Sequence, residues 1–248
     1  MASLILVTGG TGTLGRIVVP LLRSAGHEVR VLARRGGDVT ADLLTGDGLQ
    51  PAVDGAETVL HLAGGPKDDD VAARNLTAAA ARAGVRHLAH ISVIGADRVP
   101  LAWFRYQRDA ERAVMDSGVP WTMLRAAQFH DLVLKAVTQL ARLPVVPVPG
   151  GLRFEPVDAR DVAARLVDLT LGAPSGLAPD LAGPKVYGMR ELVRGYLEAR
   201  GGRRPMLPVR MPGRAGRAYR AGDNLALEGA ERGRRTWEEF LAERVTSA

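Results

Sequence analysis

The strand-like run Leu4–Val7 leads directly into Thr8-Gly9-Gly10-Thr11-Gly12-Thr13-Leu14-Gly15, with glycines at 9, 12 and 15. No other feature restricts the folding of this chain as much. The first glycine allows a tight turn off a strand, the second lets backbone approach a ligand closely, and the third lets a helix pack against a sheet. A helix starting there aims backbone N–H groups and the positive end of its dipole into the turn, which favours phosphate. The setting makes the pattern specific: a strand precedes it, the helical stretch Leu14–Ala25 follows, and the strand-like Val29–Ala33 completes a βαβ unit. Gly9, Thr11, Gly12, Thr13, Leu14 and Gly15 are therefore the expected contacts of a dinucleotide pyrophosphate.

Strand-like and helical patterns keep alternating through the first half, which predicts a parallel sheet with helices packed on it. Thr58–Leu62, His87–Ser92 and Trp121–Leu124 read as further strands, and Asp38–Ala41 as a short third one. Helical stretches Asp70–Ala83 and Leu101–Ser117 end at Gly84 and Gly118, as Leu14–Ala25 ends at Gly26, all in the manner of glycine C-caps. Beyond Arg125 the rhythm changes. Asp131–Leu143, Asp161–Leu171 and Met189–Arg200 read as helices, Pro144–Gly151 as a loop, and Gly201–Gly222 as irregular. The expected fold is α/β, a Rossmann-type doubly wound parallel sheet over residues 1–125, with residues 126–248 forming a mixed C-terminal lobe that completes the sheet and covers the substrate cleft.

The chain has no cysteine, which excludes disulfides, a thiolate nucleophile and cysteine-ligated zinc, and fits a reducing cytoplasm. The opening apolar run breaks at Gly9 and Gly10, too short for a signal or spanning segment, so a soluble, cytoplasmic protein is expected. The net charge of +6 comes from 33 basic residues, of which only Lys67, Lys135 and Lys185 are lysines. The arginines between 200 and 220 lack the aromatic interleaving of a single-strand platform, so no nucleic-acid partner is expected. His87 and His90 point to opposite faces of a strand and make no metal pair. Asp68-Asp69-Asp70 reads as a helix cap.

At the end of the second strand an acidic side chain would accept from the adenosine ribose hydroxyls and favour NAD(H). Arg34 and Arg35 stand there instead, and no acid follows before Asp38. A guanidinium in that place pairs with a 2′-phosphate, so NADP(H) is the preferred cofactor, with NAD(H) the alternative.

The chain resembles the atypical short-chain dehydrogenase/reductases, and among them the NmrA-like NAD(P)-binding family, from residue 3 to about residue 200. The glycine turn, Arg34, Asp42-Leu43, His61-Leu62-Ala63-Gly64, Asn75, Ile91-Ser92-Val93-Ile94-Gly95, Trp121-Thr122-Met123-Leu124-Arg125 with Gln128-Phe129, and Pro156 to Ala163 carry the resemblance. It implies Asp42 and Leu43 beside the adenine, Leu62, Ala63 and Gly64 along the cofactor, Asn75 behind the nicotinamide-side loops, and Ser92 as catalytic serine.

Reductases of that superfamily use a Tyr with a Lys four residues later, the cation favouring phenolate. Here Tyr106, Tyr187, Tyr196 and Tyr219 are followed at that spacing by Ala110, Glu191, Arg200 and Asp223. Aligned through Arg105 and Glu111, Trp103 falls at the Tyr position and Gln107 at the ribose-holding Lys position. Two functions follow as expectations. One is an NAD(P)H-dependent oxidoreductase acting on a small carbonyl, enone or quinone without the dyad, with Ser92, Tyr106 and His130 as candidate catalytic groups. The other is a non-catalytic NADP(H)-binding redox sensor or regulator. A small-molecule substrate, no membrane span, and a monomer or homodimer complete the expectation.

Overall fold

Consecutive Ile5, Leu6 and Val7 are all buried, the mark of a parallel strand covered on both faces. In the computed structural model, which describes residues 3–245, that strand lies inside one of two compact units. The first unit holds the described residues up to Ser92 with Ala102–Arg125 and Val162–Ala178. The second holds Val93–Leu101, Ala126–Asp161 and the described residues from Pro179 on.

In chain order the elements begin β1 (Leu4–Thr8), α1 (Gly15–Ser24), β2 (Glu28–Ala33), β3 (Val39–Thr40), α2 (Leu49–Val53), β4 (Thr58–His61), α3 (Asp69–Arg82), β5 (His87–Val93), α4 (Ala102–Met115) and β6 (Trp121–Ala126). These strands lie in the order β6-β5-β4-β1-β2-β3, and β1 pairs in parallel with both β2 and β4. The strand order reverses between β1 and β4, the place where open α/β sheets bind ligands at the carboxyl ends of their strands. The first core is built from Leu, Val, Ala and Met, among them Leu6, Val59, Leu76, Leu88 and Met123. Small side chains let the helices approach the sheet closely, and α1 and α3 stop at Gly26 and Gly84 in left-handed backbone.

The chain continues with α5 (His130–Leu140), β7 (Val146–Pro149), β8 (Arg153–Phe154), α6 (Ala159–Leu171), β9 (Gly176–Leu177), β10 (Leu181–Ala182), β11 (Tyr187–Gly188), α7 (Met189–Ala199), β12 (Met206–Val209), α8 (Gly213–Ala221), β13 (Glu231–Arg232) and α9 (Trp237–Arg244). In the second unit the aromatic residues Tyr187, Tyr196, Trp237 and Phe240 pack with Val133, Val137 and Leu192. Two expectations are corrected here. Residues 144–151 are not simply a loop, because β7 pairs in parallel with β12. The ladder takes donors from Val146 and Gly150, so the alternating Pro147 and Pro149 cost it no hydrogen bond. Residues 201–222 are not irregular throughout either, since they contain β12 and α8. The glycine inside α8 has a packing reason: a Cβ on Gly216 would lie 2.1 Å from the Met211 carbonyl oxygen, so close backbone approach overrides its poor helix propensity.

Among the described residues no helix is long and apolar enough to cross a membrane, and no group of three or more His, Cys, Asp or Glu side chains converges as a metal site.

Candidate cofactor site

Thr8 closes β1 and ties it to β4. Its buried Oγ1 accepts from the Ala63 N–H at 3.2 Å and lies 2.7 Å from His61 Nδ1. Gly9 then turns with φ +69°, and a Cβ there would lie 2.6 Å from Ala63 N, so the two strand ends meet only because residue 9 has no side chain. Gly12 N–H donates to Gly9 O at 3.0 Å. A Cβ on Gly15 would lie 2.3 Å from Gly9 O and 2.4 Å from Gly10 Cα, so this glycine sets how closely α1 packs on the turn. Gly12 differs: its only neighbour within 4 Å of a Cβ would be Gly9 O, at 3.2 Å. Thr11, Gly12 and Thr13 are exposed, while Leu14 is buried at the helix start. The turn therefore presents bare backbone at the amino end of α1, where the first N–H groups have no intrahelical partner.

A cavity of about 440 Å3 opens on this turn, walled by Gly9, Thr11 and Gly12 on one side and by Leu62, Ala63 and Gly64 after β4 on the other, with Arg34, Asp42 and Leu43 at its third edge. Beside it lies a cavity of about 840 Å3 lined by Arg34, Arg35, Thr40, Asp42, Asp47 and Gly48. Arg34 and Asp42 border both. Asp38, the first acid after β2, is occupied: its Oδ2 accepts from Val31 N at 2.8 Å and pairs with Arg23 at 3.2 Å. The β2 end thus presents guanidinium groups to the cavities, with that carboxylate turned to its own loop. Asn75, expected behind the nicotinamide-side loops, donates instead from Nδ2 to Leu43 O and Leu44 O, both at 2.9 Å, and so braces the edge formed by Asp42 and Leu43. The open backbone turn, the missing Cβ at Gly12 and the adjacent guanidinium together fit a phosphorylated dinucleotide.

The candidate catalytic groups are placed far less favourably. Ser92 is buried and donates from Oγ to Glu111 Oε1 at 2.6 Å. Glu111, whose side chain is 2% exposed, is held by Arg125 at 2.7 Å, with a second bond from Arg125 Nε at 2.8 Å. The Ser92 proton is thereby committed to a buried ion pair that pins β5, α4 and β6 together. Tyr106 is half-buried on α4 and borders neither cavity. His130 is fully buried in the second unit, its ring 5.7 Å from Trp237 and 5.1 Å from Phe240, and burial lowers its pKa against the pull of Asp158. It is a core residue of that unit.

Gln107 is buried on α4 and donates from Nε2 to Asp69 Oδ2. Asp69 Oδ1 accepts from Gly65 N at 2.7 Å, and Trp103 Nε1 donates to Gly65 O at 3.0 Å. This corrects the reading of residues 68–70 as a side-chain cap: Asp68 is the N-cap residue, yet its side chain makes no capping bond, and Asp69 turns instead to the Gly65 turn and α4. Asp69, Gly65 and Lys67 also border the cavity on the turn, and the sequence reading assigned none of them to a site. The signal was present, because Gly65 to Asp69 follow the carboxyl end of β4, the second strand of the switch point.

A family model described as NAD(P)H-binding matches residues 9–170. The chain belongs to this NAD(P)H-binding family. Its relatives include the (4-alkanoyl-5-oxo-2,5-dihydrofuran-3-yl)methyl phosphate reductase of Streptomyces griseus, 36% identical over 202 residues that cover 76% of this chain and 71% of the relative. The NAD(P)H azoreductase of Xenophilus azovorans is 31% identical over 221 residues, covering 84% of this chain and 76% of that one. In fold, the chain is similar to the NADPH-dependent quinone oxidoreductase of Escherichia coli solved with NADPH, with a TM-score of 0.77 at 20% identity over 96% of this chain and 99% of the other. These neighbours agree with the resemblance to atypical short-chain dehydrogenase/reductases of the NmrA-like kind.

Proposed function

We propose that this protein is an NADPH-dependent reductase of a small conjugated acceptor, an enone or quinone in preference to an isolated carbonyl. The observation that carries the reading is the pairing of a phosphate-binding turn and Arg34 with the lack of any Tyr followed four residues on by Lys. Bound NADPH supplies a hydride. Gly9 to Gly15 hold the diphosphate on the amino end of α1, Arg34 recognises the 2′-phosphate, and Asp42 and Leu43, backed by Asn75, border the adenine. A conjugated acceptor spreads the charge left by reduction, so it needs a weaker acid than an isolated ketone does, and a site without the Tyr–Lys pair is suited to it. Two curated relatives, whose names describe a butenolide phosphate reductase and an azoreductase, support a conjugated acceptor.

The test follows NADPH oxidation against a panel of quinones, enones and aldehydes. Turnover is expected with conjugated acceptors and not with simple aldehydes. The capture of the Ser92 hydroxyl by Glu111 favours one other reading, a non-catalytic NADPH sensor. Tight NADPH binding without turnover on any acceptor would select it.

A further inference from the structure

Reduction of a conjugated acceptor needs a proton as well as a hydride, and the groups expected to give it are engaged or misplaced. Ser92 is bonded to Glu111, His130 lies in the core of the second unit, and Tyr106 borders neither cavity. Of the side chains bordering the 440 Å3 cavity, Arg34 and Lys67 are cations, while Asp42 closes its own turn by accepting from Leu44 N at 2.7 Å. Asp69 is different: it borders the cavity yet is only 7% exposed, with Oδ1 accepting from Gly65 N and Oδ2 from Gln107 of α4.

We propose that Asp69 is the proton donor of this site, and that Gln107 and Trp103 are its positioning residues. This rests on the reductase reading and names the acid that reading lacks. Once the acceptor has gained a hydride, the Asp69 O–H bond breaks, an O–H bond forms on the acceptor oxygen, and the electron pair stays on the carboxylate. Solvent at the cavity mouth then restores the proton.

Burial pushes the Asp69 carboxyl up to about 6, against the bonds from Gly65 and Gln107, with Asp70 and Asp68 adding to the rise. Lys67 and Arg34 are the cations that border the same cavity. Gln107 suits a group that must be both charged and neutral. Its Nε2 donates to the carboxylate, and the amide carries no charge that would hold the acid ionised. A lysine in that place could only donate and would hold Asp69 ionised. Trp103 acts through the backbone, fixing Gly65 O so that Gly65 N–H meets Asp69.

The experiment has two arms. In the cofactor-free protein, 13C carboxyl NMR with the Asp69→Asn variant as the assignment control should show Asp69 titrating near 6, and Gln107→Lys should lower that midpoint by at least about one unit. A midpoint in the ordinary aspartate range, or no response to Gln107→Lys, would overturn the proposal. In turnover, wild-type kcat should fall as pH rises through the same midpoint. Asp69→Asn should lose about 100-fold in kcat and the pH limb, with NADPH affinity held within about threefold. Unchanged kcat and pH profile in Asp69→Asn overturns the donor role and leaves the reductase standing. A loss of NADPH binding in step with kcat makes Asp69 a cofactor ligand and overturns it too. Absence of turnover in the wild type removes the reductase and the donor together.

Discussion

Gly12 and Gly15 sit three residues apart in one turn, yet the structure gives them opposite duties, and a pair of variants separates them. A Cβ on Gly15 would press within 2.3 Å of Gly9 O and 2.4 Å of Gly10 Cα. Both are backbone atoms that cannot rotate aside, so Gly15→Ala must open the strand–helix contact. Overpacking of this kind costs about 2 kcal/mol, which lowers Tm by roughly 4–8 °C in a chain of this size. Gly12→Val meets only Gly9 O, at 3.2 Å, and should leave stability within about 1 kcal/mol. Its side chain takes the place where diphosphate approaches. Losing two charge-assisted hydrogen bonds there costs at least about 3 kcal/mol, or roughly 100-fold in Kd. Thermal unfolding and NADPH fluorescence titration read the two quantities separately. Wild-type affinity in Gly12→Val would place the phosphate cradle elsewhere, and an unchanged Tm in Gly15→Ala would refute the close approach of α1.

Replacing Glu111 by Leu removes the buried carboxylate that Arg125 and Ser92 both bond and should destabilise the protein by about 3–5 kcal/mol in urea unfolding; a loss below 1 kcal/mol would show that Ser92 is not anchored as described. Arg34→Asp should reverse the cofactor preference, weakening NADPH far more than NADH in parallel titrations, and an unaltered ratio would sink the phosphate assignment. The Asp69 carboxyl, raised to about 6, binds its proton more tightly in the folded state than in the unfolded one. Its burial therefore costs stability in full above pH 6, and the cost is relieved as pH falls from 6 towards 4. Asp69→Asn should gain at most about 3 kcal/mol at pH 8, and about 1–2 after solvent screening at the cavity mouth, with little gain at pH 4; equal stabilities at both pH values would contradict the raised pKa.

The parts of the fold written locally were legible in the sequence. β1, its glycine turn and α1 occupy consecutive residues, and Gly9, Gly12 and Gly15 each answer to a neighbour within the turn or to the residues after β4 beside it. β3 was readable for the same reason, as a short run ahead of the next turn. Pairing between distant segments was not. β7 and β12 lie about 60 residues apart, and their proline-rich runs look like loops until each supplies the other with carbonyl partners.

The site divides along the same line. Arg34, Asp42, Leu43 and Leu62 to Gly64 follow strand ends and border the cavities. Ser92 lies within β5 and His130 follows β6, but what they do is decided by remote partners: Glu111 and Arg125 for the serine, Trp237 and Phe240 for the histidine. Asp69 was read as part of an acidic helix start because nothing near it in sequence announces Gln107, 38 residues on, as its partner.

The most direct test is a crystal structure of the protein with NADPH. Density for the diphosphate should lie against the backbone N–H groups of the Gly9–Gly15 turn, with the 2′-phosphate on the Arg34 guanidinium. Density lying instead along the arginines of α8, or a turn closed by its own side chains with cofactor held elsewhere, would contradict the account.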